Sequence, residues 1–220
     1  MFMANIEAVI FDLDGLIVDS EPIQWRAMNI ALQPLGIQIT ESEWIEMVGR
    51  KTIDNLKSLK KKHGFEKSLT EIEGTKNEAY RKIIMTELKP MPGLTHALNV
   101  CGKRQLRMAV ASSSVRTDIE VILQSLGLLD EFEVIISGDQ VKEGKPHPEI
   151  FLGAARLLGI EPGNCLALED TTYGVAAAKA AGMYCIAVPN RFTANQGFDQ
   201  ADLVLDSLAQ FELDALPALS

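Results

Sequence analysis

Two aspartates stand two residues apart, Asp12 and Asp14, at the end of the apolar run AVIFDLDG. Residues two apart in extended chain point the same way, so both carboxylates are directed to one side of a strand's carboxyl end. Anions held together near a core are costly unless a cation or a shared proton offsets their repulsion. A second acidic pair, Glu169-Asp170, follows the apolar run CLAL and precedes Thr171-Thr172-Tyr173-Gly174. Hard oxygen ligands from two strand ends, with room left for water and phosphate oxygens, suit Mg²⁺. Gly15 allows the chain to turn away with its backbone close to whatever is bound. The plainer alternatives are two solvated aspartates at a strand exit, and Asp170 or Thr171 capping a following helix.

Two further elements offer groups that bind anions. Ser112-Ser113-Ser114 follows the run MAVA and opens a helical pattern, where hydroxyls and free backbone N–H groups make an anion site or a routine N-cap. Lys145 lies between Gly144 and Pro146 in KEGKPHP, on a stiff non-helical backbone from which its ammonium can be aimed at a fixed point. In chain order, the set is a carboxylate able to act as nucleophile, a second carboxylate, a hydroxyl, a cation and an acidic pair.

Elements of a particular kind must position these groups. Residues 8–13, 108–111, 134–137, 165–168 and 185–188, with a weaker run at 203–205, read as strands buried on both faces because they are continuously apolar. Helical patterns at 115–126, 149–158 and 173–181 alternate with them, and Gly127, Gly159 and Gly182 stand at helix C-terminal positions. This rhythm predicts an α/β fold, a doubly wound parallel sheet. From Asp19 to Lys89 it stops, leaving helical patterns at 23–35, 41–48, 53–62 and 70–88 before the Pro90-Met91-Pro92-Gly93 punctuation. The expected organisation is an α/β core of residues 1–17 and 90–220 with an inserted all-helical domain of residues 18–89. An insertion after the first strand is placed to cover the crevice where open α/β sheets bind ligands.

With DLDG, the Ser of VASSS, the Lys of GKPHPEIF and LEDTTYG in this order, the sequence resembles the haloacid dehalogenase-like superfamily over nearly its whole length. The resemblance implies a Rossmann-like core with a helical cap and an Mg²⁺-dependent phosphatase acting on a small phosphorylated metabolite. Asp12 would be the nucleophile forming an aspartyl phosphate, and Asp14 the general acid and base. Asp12, the Asp14 carbonyl and Asp170 would hold the metal, with Glu169 contributing directly or through water. Ser112 and Lys145 would hold phosphoryl oxygens, assisted by Gly15 and the backbone at Ser113. An aspartate two residues after the nucleophile favours phosphate esters over the dehalogenase and phosphonate reactions of related proteins.

Substrate choice is expected in the cap, at Glu21 and Gln24 and at Gly49-Arg50-Lys51-Thr52. Within the superfamily, sugar-phosphate phosphatases and β-phosphoglucomutases are the nearest types. The mutases carry a His and an Arg where this chain has Gln24 and Thr52, which favours hydrolase over mutase. A different class, the receiver-type phospho-aspartate signalling module, uses similar residue types but lacks the Asp12/Asp14 spacing and the inserted domain.

Composition supports this reading by exclusion. Of 220 residues 47% are hydrophobic and 23% charged, as in a globular chain rather than a disordered one. A net charge of −9 and a pI near 4.9 argue against nucleic-acid and anionic-membrane partners, but not against a small anion in a local pocket. Three cysteines without metal spacing, no apolar run of bilayer length and no basic or apolar leader point to a cytoplasmic protein, a monomer by default. His63, His96 and His147 show no metal spacing.

Overall fold

Runs that are apolar on both faces must be covered on both faces, and six of them pair side by side in a computed structural model of the chain, which describes residues 6–213. The strands are β1 (Ala8–Phe11), β2 (Arg107–Ser112), β3 (Val134–Ser137), β4 (Cys165–Glu169), β5 (Tyr184–Ala187) and β6 (Leu203–Val204). Their order is β3-β2-β1-β4-β5-β6, and every pairing is parallel. This is the doubly wound sheet expected from the sequence. Its strand order reverses direction between β1 and β4, where such sheets bind ligands beyond their carboxyl ends. Strand β1 is shorter than the apolar run, because the amides of Ile17 and Val18 both fold back onto the Leu13 carbonyl.

Two compact units make up the structure: residues 20–89, and the segments on either side of them. Val18 bridges Pro90 in antiparallel fashion and the Met91 amide bonds the Ile17 carbonyl at 2.9 Å, so the chain leaves the sheet unit and returns at one place.

The helical unit contains α1 (Glu21–Leu32), α2 (Glu41–Ile45), α3 (Thr52–His63) and α4 (Leu69–Glu87). Helix α1 packs on α4, and Ile23, Ala27, Ala31 and Leu32 of α1 and Ile72, Ala79 and Ile84 of α4 are buried at helical spacing. A reciprocal capping box between Thr40 and Glu43 starts α2. Trp25 and Trp44 are tied down by their indole N–H groups, to the Ile39 carbonyl at 2.8 Å and to Glu21 Oε2 at 2.9 Å.

In the sheet unit, α5 (Leu94–Lys103), α6 (Arg116–Ser125), α7 (Glu149–Leu158) and α8 (Thr172–Ala180) surround the strands. Helices α7 and α8 bury one face, packing Ile150, Phe151, Ala154, Val175 and Ala178 against Ala8, Ile10, Ala109, Ala167 and Cys185. The alternate residues Val9, Phe11, Val110, Leu166 and Leu168 are fully buried as well. Helix α5 is not among those the sequence pattern anticipates. Its run LTHALNVCGK interleaves His96, Asn99 and Gly102 with the apolar positions. No helix of the described residues is long and apolar enough to cross a membrane.

Candidate active site

Sheet register brings the acidic residues together. Phe11 of β1 is level with Leu168 of β4 and Val110 of β2, so Asp12, Glu169 and Ala111 are the next level of three adjacent strand ends. The Asp12 amide extends the ladder by one bond, to the Leu168 carbonyl at 3.0 Å. Asp12 and Glu169 share the alternation of Ile10 and Ala167, which face α7 and α8. Lys145 enters from the loop before α7 and spans all three ends. Its Nζ donates to Asp12 Oδ1, to Glu169 Oε1 at 2.5 Å and to the Ala111 carbonyl at 3.0 Å. It also sits over the buried Phe151 ring, 5.1 Å from the centroid.

The environment is nearly dry, with the Lys145, Asp12 and Glu169 side chains 7%, 9% and 1% exposed. Burial is the main influence on Asp12 and pushes its carboxyl up to about 8. The Lys145 ammonium opposes this rise, and the Glu169 and Asp14 charges add to it. Burial works against the Lys145 charge, but the carboxylates of Asp12 and Glu169 outweigh it and hold the ammonium above its ordinary pKa.

Glu169 is held at both oxygens. Oε2 accepts from the amides of Asp170 (3.1 Å) and Thr171 (3.3 Å) and from the Thr171 hydroxyl (3.2 Å), while Oε1 faces Lys145. Thr171 is the N-cap of α8, its hydroxyl accepting from the Gly174 amide at 3.1 Å. Capping therefore falls to Thr171 and leaves Asp170 to the site. The first turn of α8 presses on Glu169 so closely that a Cβ at Gly174 would lie 1.8 Å from Glu169 Cδ. Gly174→Ala should lower stability by about 1–3 kcal/mol, the usual cost of overpacking. In thermal denaturation this corresponds to a fall of about 2–12 °C for a chain of this length. An unchanged midpoint would contradict this packing.

Asp14 is held by serine hydroxyls. Its Oδ2 accepts from Ser114 Oγ at 2.7 Å and from Ser112 Oγ at 3.4 Å. Ser112 is the last residue of β2, level with Ser137 of β3, rather than the opening of a helix. Helix α6 begins only at Arg116, whose amide is taken by Asp139 Oδ1 at 3.0 Å. Ser113 is exposed, and the hydroxyl that reaches Asp14 beside Ser112 is that of Ser114. Gly15 has φ +82°, and a Cβ there would stand 2.2 Å from Asp170 Oδ2, so only glycine keeps this space open.

Asp12, Glu169 and Asp170 each offer a buried carboxylate oxygen, the three lying within 4.8 Å of one another. This all-oxygen donor set, opened by Gly15, fits a hard divalent cation such as Mg²⁺. The cysteines are no rivals as nucleophiles. All three are free and buried, and burial raises the thiol of Cys101 to about 12 and of Cys165 to about 11.

The helical unit carries the remaining candidates. Glu21 accepts from the Trp44 indole, and Gln24 Oε1 is buried without a hydrogen-bond partner. Gly49 has φ +85°, Arg50 Nη2 donates to Ser58 Oγ at 3.3 Å, and the Lys51 carbonyl accepts from Asp54 and Asn55 at the start of α3, whose first residue is Thr52.

A family model, haloacid dehalogenase-like hydrolase, matches residues 9–188, from β1 to the residue after β5. The chain belongs to this family. Hexitol phosphatase B of Escherichia coli is 34% identical over 94% of each chain. The phosphorylated carbohydrates phosphatase of Thermotoga maritima is 33% identical over 81% of this chain and 82% of its own. Among solved structures, β-phosphoglucomutase from Clostridium difficile superposes with a TM-score of 0.81 at 29% identity, covering 95% of this chain and 94% of its own. This haloacid dehalogenase-like core carries its four motifs at the ends of β1, β2 and β4 and in the loop before α7.

Residues other than those singled out from the sequence also shape the site. Asn190 Nδ2 donates to Asp170 Oδ2 at 2.8 Å and to the Gly15 carbonyl at 3.1 Å. Glu149, in the first turn of α7, accepts from the amides of Lys142 and Glu143 at 3.1 and 3.0 Å and so fixes the loop that carries Lys145. For Asn190 the signal was present: it is the first strongly polar residue after the apolar run CIAVP.

Proposed function

We propose that the protein is an Mg²⁺-dependent phosphatase that hydrolyses a small phosphorylated metabolite, a sugar phosphate, through an aspartyl phosphate on Asp12. The observation that carries this reading is the Asp12 carboxylate at the sheet's switch point, next to two further buried carboxylates and a buried ammonium. The phosphatase relatives named for phosphorylated carbohydrates and hexitols supply the substrate class. A receiver-type module is disfavoured by the strand order, which is not the 2-1-3-4-5 order of that fold.

Asp12, Asp170 and the Asp14 carbonyl would hold Mg²⁺. Both Glu169 oxygens already have partners, which suits contribution through water. When bound, the metal supplies screening of carboxylate–phosphate repulsion and a Lewis acid for the phosphoryl oxygens. An Asp12 oxygen attacks phosphorus in line with the leaving oxygen, forming the Asp12–phosphorus bond as the ester bond breaks. Asp14, oriented by Ser112 and Ser114, gives the leaving alcohol its proton. It then takes a proton from the water that attacks the aspartyl phosphate. Lys145 and Ser112 bind phosphoryl oxygens, with Gly15 and the Ser113 backbone close by. Leaving-group choice falls to Glu21, Gln24, Gly49, Arg50, Lys51 and Thr52.

A panel of sugar phosphates, including β-glucose 1-phosphate with a bisphosphate activator, is to be scored for free phosphate and for isomer. Phosphate release without isomer is expected, since the amide of Gln24 cannot exchange protons as an imidazole does. Isomer as the main product would instead assign the mutase activity of the β-phosphoglucomutase neighbour.

Metal binding must also displace a proton from Asp12, whose carboxyl is pushed well above its ordinary range by burial. Mg²⁺ at a hundred times its Kd should raise the unfolding midpoint by about 5–10 °C. At one fixed Mg²⁺ concentration the rise should be larger at pH 8 than at pH 6, because less Asp12 is protonated at the higher pH and the apparent Kd is lower. A midpoint insensitive to Mg²⁺ at both pH values would contradict the metal site.

A further inference from the structure

The loop after β5 takes no part in the four motifs, yet it holds the acidic turn after β4 at two points. Asn190 Nδ2 spans Asp170 Oδ2 and the Gly15 carbonyl, joining the exits of β4 and β1. Gln196 Oε1 accepts from the amide and hydroxyl of Thr172, at 3.0 and 3.1 Å, at the first residue of α8. Asn190 is itself fixed by its own loop. Its Oδ1 accepts from the Phe192 amide at 2.8 Å, its amide donates to Thr193 Oγ at 2.9 Å, and its carbonyl accepts from the amides of Thr193 and Ala194. Thr193 and Phe192 are buried, so the carboxamide is held in one orientation before any ligand arrives.

We infer that Asn190 is a positioning residue for the metal site, setting the rotamer of Asp170 and its distance from the β1 turn. The inference rests on the reading that Asp12 and Asp170 bind Mg²⁺. An amide N–H on one carboxylate oxygen directs the other oxygen and limits rotation about the side-chain torsions, as outer partners of metal ligands do. The second N–H, on the Gly15 carbonyl, links that orientation to the turn that carries Asp14. Asn190 touches neither substrate nor reacting atoms in this role. Its effect is to bring Asp170 to the metal already oriented, so its removal should weaken binding of the metal more than it slows turnover once the metal is bound.

The test compares the whole protein with Asn190→Ala and Asn190→Ser. The serine hydroxyl retains a short acceptor for the Phe192 amide but cannot reach both the Asp170 carboxylate and the Gly15 carbonyl. Mg²⁺ affinity is read by isothermal titration calorimetry, without substrate, alongside circular dichroism. The expected result is a Kd for Mg²⁺ raised about 10–100-fold in both variants. Half-maximal activity should require correspondingly more Mg²⁺, while kcat at saturating Mg²⁺ stays within a few-fold of wild type. Wild-type affinity in folded variants would overturn the inference, and so would failure of both variants to fold, which would assign Asn190 to the stability of the loop. Wild-type protein that binds no Mg²⁺ would instead overturn the reading of the metal site on which the inference rests.

Discussion

Asp12→Asn should abolish turnover while leaving the fold intact and, in metal-free protein, more stable than wild type at neutral pH. The carboxamide has the shape of the carboxyl but cannot form the phosphoryl bond, and loss of a nucleophile costs about 10⁴–10⁶-fold in kcat. Burial of the Asp12 carboxyl sets the difference in stability. The Asp12 carboxyl is raised from 3.8 to about 8, so its share of stability is fully present below the unfolded pKa and is lost as pH rises through the folded one. The asparagine has no proton to lose. Lys145 retains Glu169 and the Ala111 carbonyl as partners in the variant. The difference in unfolding midpoint between variant and wild type, measured in EDTA, should therefore grow in the variant's favour from pH 5 to pH 8. A variant with wild-type turnover would remove Asp12 from the chemistry, and a difference that is flat with pH would remove the buried, protonated carboxyl.

Lys145→Met should be damaging in both stability and rate. The methionine nearly preserves the apolar stem over Phe151 but withdraws the cation from the buried Glu169 carboxylate and the donor from the Asp12 carboxyl. Breaking a buried ion pair by removing one partner costs about 3–5 kcal/mol, because the remaining charge is left without compensation. For a chain of this length that is a fall of about 6–20 °C in metal-free protein. Part of the loss should return with Mg²⁺, which offers the carboxylates another cation. Turnover should not return with it, since the positioned donor to the phosphoryl oxygens is gone, a loss of about 10²–10³-fold. Differential scanning calorimetry with and without Mg²⁺, together with kcat at saturating substrate, reads both effects. Unaltered stability without metal would mean that Lys145 does not bridge the strand ends.

The parts of this site that were legible in the sequence are those carried by the strands. A continuously apolar run ending in acidic residues gives both the strand and its chemical end, which is why Asp12, Asp14, Glu169 and Asp170 could be placed on one sheet edge without coordinates. Their pairing is set by register, Phe11 against Leu168, which local sequence does not encode. Ser112 looked like a helix opening because MAVA ends before it. Its place in β2 comes from the ladder with Ser137 across the sheet. From the sequence Ser114 reads equally as an anion-binding hydroxyl or as a cap, since nothing in three consecutive serines says which one turns toward Asp14. Glu149 accepts from two amides of the loop just before its helix, and Asn190 donates to Asp170 and to Gly15, both far from it in sequence. Such roles have no spacing rule. The same strand-end logic that found the acids does point at Asn190, but a lone carboxamide suggests no chemistry until its partners are seen.

In the proposed reaction Asp12 carries the phosphoryl group between the ester and water. Each in-line displacement at phosphorus inverts configuration, so two displacements restore it, whereas direct attack by water inverts it once. The most direct measurement uses a sugar phosphate ester made chiral at phosphorus with three oxygen isotopes, its phosphoryl group transferred by the wild-type enzyme with Mg²⁺ to an acceptor alcohol, or the chiral thiophosphate ester hydrolysed in isotope-labelled water. Net retention at phosphorus is the result this account predicts. Net inversion would contradict it.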